Sequence, residues 1–462
     1  MGEELTDDVK NLLGNPRKAI LSMAVPIAIS NIIASCNNII DAVWLAGLGP
    51  SALAATGVTF PFFFMMIAIG NGVGIGAAQA IARRIGAKDY GNTHRVASQA
   101  VYMLLVASIL LSAVLLVFAE PLLELGGAGD YMQECLDYAL PQFLTTPMIM
   151  LGIVLSGLLR AEGAAKRSMY INLAGALLNI VLDPIFIYVL GWGIGGASWA
   201  TVLAMSLSTV IAIYWYFVKK DTFVRIPMRN FRFDLSLDRD ILRVGIPAAT
   251  EMALVALVSL LMNAIILKVD PVDGIAVYTT GWRAMNMLTI PAMSLGNAMV
   301  PVCAAAYGAR RFDKVRDSLM YSIKMGTLLM AAVTLFTFFC APLISDLFTY
   351  GEEMAGLKDT LVSFFRICCL FLPVTAAGFV ASGFFQSLGM GTKSLVCAVF
   401  KTFIRLPVCV ALISFCELTY IFWGVSFAEF IGAVLALVWA LLTLRALMGS
   451  ARMVSGGDAG SS

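Results

Sequence analysis

Two carboxylates stand where an apolar chain should have none. Asp41 ends the run Asn37-Asn38-Ile39-Ile40-Asp41, and Asp183 lies in Asn179-Ile180-Val181-Leu182-Asp183-Pro184. Each is deep inside a long hydrophobic stretch. A carboxylate at bilayer depth costs about 2.5–3.5 kcal/mol, so it marks a functional site by default. Each also has an asparagine four residues earlier, which a helix places on the same face. Two helices that each offer a carboxylate and an amide suit a proton or a small cation. The structural alternative is a polar network that only joins helices, and two acids are costly joiners.

Other chemistries find little support. His94 is the only histidine and sits in a basic loop, so proton relay falls to carboxylates. The nine cysteines lack metal-ligand spacing and read as small buried hydrophobes. No G-x-x-x-x-G-K-[ST] loop is present, which leaves a gradient as the energy source. No catalytic His/Asp set or paired-acid loop appears, so the chain is not expected to be an enzyme.

The positioning elements are membrane helices. Of 462 residues, 60% are hydrophobic and 13% charged, whereas a soluble domain carries about 25% charged residues. Twelve apolar runs of spanning length lie near 18–46, 53–83, 96–119, 136–160, 168–190, 194–218, 241–268, 275–307, 317–341, 358–386, 394–415 and 421–446. Even-numbered connections are basic, and odd-numbered ones carry Lys268 and Lys358 but are otherwise neutral or acidic, which places both termini in the cytoplasm. The expected class is an all-α membrane protein, with twelve transmembrane helices in two pseudo-symmetric six-helix bundles. Residues 1–17 form a cytoplasmic segment, 18–218 the first bundle, 219–240 a cytoplasmic linker, 241–447 the second bundle and 448–462 a disordered tail.

The halves echo each other in order. Ala24-Val25-Pro26 returns as Gly245-Ile246-Pro247, and Gly70-Asn71 as Gly296-Asn297. Gly86-Ala87-Lys88 returns as Gly308-Ala309-Arg310, Ser156-Gly157-Leu158-Leu159 as Ser382-Gly383-Phe384-Phe385, and Gly191-Trp192-Gly193 as Phe422-Trp423-Gly424. Six spans return the chain to its starting side, so both copies insert alike, as in transporters built from parallel repeats. The cleft between two such bundles is the expected substrate path.

These residues resemble the MATE family of multidrug and toxic-compound extrusion transporters. The resemblance rests on Pro26 with Asp41, the Gly-Ala-Lys-Asp-Tyr-Gly loop, Leu159-Arg160-Ala161-Glu162-Gly163, Asn179 to Pro184 with Gly193 to Thr201, and Gly281-Trp282-Arg283 through Pro291 to Ala309. It runs from about Pro16 to Leu447 and is similar to the DinF-like branch, whose coupling carboxylates lie in the N-terminal half. That resemblance implies that Asp41, Asn179, Asp183 and Thr201 form a proton or Na⁺ site, with Asn37 adding an amide where the branch expects an aromatic hydroxyl. It also implies that Tyr138 borders the site and that Pro26 is a hinge. Pro184 disturbs the carbonyl of Ile180 and acts as a second break.

A substrate cavity is expected to draw on Tyr138, Met65, Met148, Glu251 and Arg283, because methionine-rich surfaces repack around varied ligands. Glu429 is placed near the outer end of the last span, at an outer gate or among headgroups. Lys401 and Arg405, four apart on the eleventh span, form a basic face that suits an anionic headgroup or substrate. The expected function is a secondary antiporter of the cell membrane that exports amphipathic, often cationic, organic compounds in exchange for H⁺ or Na⁺ by alternating access. The alternative is a flippase of lipid-linked oligosaccharide or another lipid. No cofactor is expected beyond the coupling ion. The partners are small organic substrates and the bilayer, with no nucleic acid, and the chain is expected to act as a monomer.

Overall fold

The structure, a computed structural model, describes residues 4–227, 231–270, 273–349, 355–413 and 417–457. Among them it is helical throughout, with no strand. Eleven helices are long and apolar enough to cross a membrane, and a bent pair makes the twelfth.

Short α1 (Asp7–Leu13) is capped by Thr6, whose Oγ1 accepts the amide of Val9 at 3.4 Å. The first six spans are α2 (Pro16–Ala46), α3 (Pro50–Gly86), α4 (Tyr90–Val117), the pair α6 (Met132–Leu144) and α7 (Thr146–Ala161), α8 (Ala165–Pro184) and α9 (Gly193–Ile213), with α5 (Ala119–Leu125) between α4 and α6. The second six are α10 (Leu235–Val269), α11 (Gly274–Gly308), α12 (Phe312–Phe348), α13 (Lys358–Cys368) running into α14 (Leu372–Ser387), α15 (Gly391–Leu412) and α16 (Leu418–Gly457). The bend between α6 and α7 is 54°. Pro147 opens α7 without an amide hydrogen and biases Thr146 away from helical geometry. Pro373 stands at the matching place in α14, after a single 3₁₀ turn.

The chain divides into two compact units, Met1–Gly14 with Val25–Ala249 and Asn15–Ala24 with Thr250–Ser462. Two of the three changes of unit fall inside helices, α2 and α10, within a turn of Pro26 and Pro247. The N-terminal unit also carries the linker. Arg83 and Arg84 both pair with Asp240 (2.9 and 2.6 Å), Arg95 with Asp234 (3.0 Å), and Arg167 with Asp221 (3.0 Å).

Packing repeats as the sequence does. In the N-terminal unit α3 crosses α7 where a Cβ on Gly157 would stand 3.1 Å from the Cα of Gly74. In the C-terminal unit α11 crosses α14 where a Cβ on Gly383 would stand 2.3 Å from the carbonyl oxygen of Gly296. Small residues let backbones touch, which supplies packing energy where lipid removes the hydrophobic drive. The loops repeat too. Lys88 and Arg310 both take positive φ (61° and 55°), and Gly163 and Gly389 do the same (91° and 74°). At Gly163 a side chain would also strike the carbonyl of Asp8 at 2.8 Å, so glycine is required twice over.

Helix α16 runs through Gly457, past the start of the tail expected to be disordered. Propagation costs little once a helix is established. Residues 458–462 lie outside the described residues.

Candidate functional site

Four of the sequence-derived residues meet inside the N-terminal unit. The Nδ2 of Asn37 donates to Asp41 Oδ2 at 3.2 Å and to Asn179 Oδ1 at 2.6 Å. Asn179 Nδ2 donates in turn to Asp183 Oδ1 at 2.9 Å, and the Asp41 and Asp183 carboxyls lie within electrostatic range of each other. Asn179 and Asp183 are buried at 3% and 2% exposure, while Asn37 and Asp41 are half-buried. The i, i+4 spacing therefore does two jobs. It pairs each amide with its own carboxylate, and it brings α2 to α8 amide to amide.

Two carboxyl groups in reach of one another join only through a proton or a cation. The nearby oxygens fit either. Asn37 Oδ1 is buried with no hydrogen-bond partner, and Asp41, Asp183 and Asn179 supply further hard oxygens of the type Na⁺ prefers. Thr201 is half-buried on α9, which packs on α8, and its hydroxyl bonds to none of the four. Tyr138 is half-buried and within electrostatic range of both carboxylates. Its carbonyl accepts Ser198 Oγ at 2.6 Å, tying α6 to α9.

The two prolines differ in effect. Pro26 is buried within the continuous α2. Pro184 ends α8, and a π-helical segment, Ile185–Val189, follows it. A proline cannot donate to the carbonyl four residues back, so the register loosens there.

Two further contacts extend the site and were not drawn from sequence. Asn172 donates to Ser30 (3.5 Å), and the Tyr188 hydroxyl donates to the carbonyl of Trp44 (2.6 Å). A side chain at Gly47 would collide with that hydroxyl. With Asn37–Asn179 between them, these contacts form a ladder joining α2 to α8. On α2 the polar side chains of Ser30 and Asn37 stand seven positions apart, which was the available signal, whereas Trp44 takes part through its backbone carbonyl.

The expected cavity residues fall in both units. Met65 is exposed on α3 and Met148 half-buried on α7. In the C-terminal unit Arg283 is exposed, and Glu251 accepts from Ser394 (3.1 Å) and more distantly from Ser382 (3.4 Å). Glu429 is not at a surface. It is 3% exposed and holds Lys401 at 2.9 Å and Arg405 in a closer contact. Burial of an acid in a span is affordable only with such partners. No cluster of three or more His, Cys, Asp or Glu side chains suited to a metal occurs among the described residues.

Fold and site together define a multi-pass helical membrane transporter built from two repeats. The chain belongs to the MatE family, whose model matches residues 26–185 and 247–411. It is similar to the multidrug export protein MepA of Staphylococcus haemolyticus, with 26% identity over 422 residues covering 91% of this chain and 92% of that protein. Among solved structures it resembles an outward-facing conformation of a multidrug resistance MATE family transporter of the MOP superfamily, at TM-score 0.94 and 33% identity, covering 97% of this chain and all of that one. It is also similar to a MATE protein in a straight conformation, with TM-score 0.93, 33% identity and coverage of 96% and 100%.

Proposed function

We propose that this protein is a secondary antiporter that exports amphipathic, often cationic, organic compounds in exchange for H⁺ or Na⁺. It transports its substrates without transforming them. It belongs to the DinF-like branch, works as a monomer in the plasma membrane, and keeps both termini in the cytoplasm. The observation that carries this reading is the hydrogen-bonded chain Asp41–Asn37–Asn179–Asp183, which links a carboxylate on α2 to one on α8 within the N-terminal unit.

The ion loads the paired carboxyls from outside the cell. Na⁺ would be held by Asp41, Asp183, Asn179 and Thr201 with Asn37 beside them, and a proton would sit between the two carboxyls. Either ion removes negative charge from the interior. The chain's own residues do the rest. Asn37 relays the change from Asp41 to Asn179, the α2–α8 ladder resets, and α2 bends near Pro26. Its movement reshapes the apolar lining around Tyr138, Met65 and Met148, while Glu251 and Arg283 meet substrate in the C-terminal unit. Coupling follows because ion and substrate favour different states.

The test is proteoliposome efflux of a fluorescent organic cation under an imposed ΔpH or ΔNa⁺. Gradient-driven efflux that disappears in Asp41→Asn and Asp183→Asn supports the site, and the effective gradient names the ion. Efflux that survives both substitutions overturns it.

A further inference from the structure

The C-terminal unit carries a second polar centre that the coupling reaction does not use. At the offset that relates Ser156 to Ser382 and Ser168 to Ser394, the position of Asn179 on α8 becomes Arg405 on α15, and that of Gly175 becomes Lys401. The first half thus holds its ion site where the second half holds two cations. Both face α16, where Glu429 bonds to Lys401 at 2.9 Å and to Arg405. One carboxylate serves two cations, so this trio carries a single excess positive charge.

The site is built rather than incidental. Arg405 is 8% exposed, and its buried Nε has no hydrogen-bond partner. Its guanidinium lies over the indole of Trp282 at 5.0 Å, and Tyr278 stacks on that indole at 5.8 Å with planes 11° apart. Lys401 Nζ lies 5.6 Å from the ring centre of Phe379, and its side chain keeps 30% exposure. Gly432, three residues beyond Glu429, leaves room for the lysine stem, because a Cβ there would stand 2.6 Å from it. Glu251 is within electrostatic range of Lys401 but forms no ion pair with it, its oxygens being taken by Ser382 and Ser394.

We infer that the Lys401–Arg405–Glu429 cluster is a binding site for the anionic group, a sulfonate, carboxylate or phosphate, of an amphipathic molecule. A singly charged anion neutralises the trio and gives the orphaned guanidinium nitrogen an acceptor, and charge-assisted bonds to Arg are the strong ones. The cation–π contact holds the guanidinium in place before the ligand arrives. This inference rests on the geometry of one unit and not on the direction of transport, so the failure of cation efflux would leave it standing.

The experiment is calorimetric titration of the purified full-length protein with 1-naphthalenesulfonate and with its neutral sulfonamide. The expected result is binding of the sulfonate about tenfold tighter than the sulfonamide. Lys401→Gln abolishes the preference, and Lys401→Arg restores it. Glu429→Gln strengthens sulfonate binding, because it removes the competing carboxylate. That gain separates a ligand site from an ion network that only holds helices together. Equal affinity for the two probes overturns the inference, as does weaker sulfonate binding in both Lys401→Gln and Glu429→Gln. Repeating the titration in nanodiscs of phosphatidylcholine with and without phosphatidylglycerol distinguishes the sources. Competition by the anionic lipid assigns the site to a headgroup phosphate, and undiminished sulfonate binding assigns it to a free organic anion.

Discussion

The N-terminal and C-terminal units share a backbone plan and differ in charge at matching positions. Around α8, Asn37, Asp41, Asn179 and Asp183 gather two acids and two amides. Around α15, Lys401, Arg405 and Glu429 gather two cations and one acid. The serine pairs tell the same story. Ser156 and Ser168 lie 2.6 Å apart and both accept from Arg160, whereas Ser382 and Ser394 lie 2.7 Å apart and share Gln386 and Glu251. Small residues, prolines and turn conformations are duplicated because helix crossings and loops depend on backbone geometry. Charge is not duplicated, because each buried centre needs only local partners. A repeated fold can therefore carry opposite chemistries in its two halves.

The largest effect expected from breaking this comparison is at Asp183. Asp183→Asn should lower gradient-driven efflux of neutral and cationic substrates alike by at least about tenfold, whereas Glu251→Gln in the C-terminal unit should lower efflux of cationic substrates and spare that of neutral ones. Initial rates in proteoliposomes check this, and the reverse ranking would transfer coupling to the other unit. Next come the two glycine crossings. Gly383→Ala forces a methyl against the carbonyl of Gly296 at 2.3 Å, while Gly157→Ala meets Gly74 at 3.1 Å. Overpacking costs about 1–3 kcal/mol, so the first should lower the melting temperature in detergent much more than the second. If they are equal, the two crossings are less distinct than their geometry.

Exchanging the serine partners gives a smaller and more informative change. Arg160→Gln copies the arrangement at Gln386 and removes a cation that has no acid bonded to it. Stability should be unchanged or rise by about 1 kcal/mol. Gln386→Arg sets a cation beside Glu251 and should lower efflux of cationic dyes in particular. A uniform loss across neutral and cationic dyes would sink that assignment.

The smallest effect is at Glu162, just beyond α7. It is 1% exposed and accepts the amide of Val224 at 2.8 Å. Burial pushes its carboxyl from 4.5 up to about 8, against the pull of the Val224 amide and Arg167. The folded state thus holds a proton that the unfolded chain releases near its ordinary value. Stability from this group is full below pH 4.5 and is lost as pH rises through about 8. The melting temperature should fall by about 2–4 °C between pH 6 and 9, and Glu162→Gln should flatten that slope. A profile unaltered by the substitution would place the pH dependence elsewhere.

The sequence by itself determined the class, the spans and the repeat. Long apolar runs admit one solution in lipid, since every backbone group must bond within its own helix. It also singled out Asp41, Asn179 and Asp183, because a carboxylate in such a run is too expensive to be accidental. Only the tertiary structure decided the partners. Glu429 read as an interfacial acid because its counter-ions, Lys401 and Arg405, lie on a different helix. Thr201 shared the family pattern yet makes no bond to the four residues around Asp183. The Ser30, Trp44, Asn172 and Tyr188 rungs needed the rotation of α2 against α8, which side-chain packing sets and hydropathy does not record. Burial energy is written along the chain one residue at a time, whereas hydrogen-bond pairing depends on which helix faces stand together.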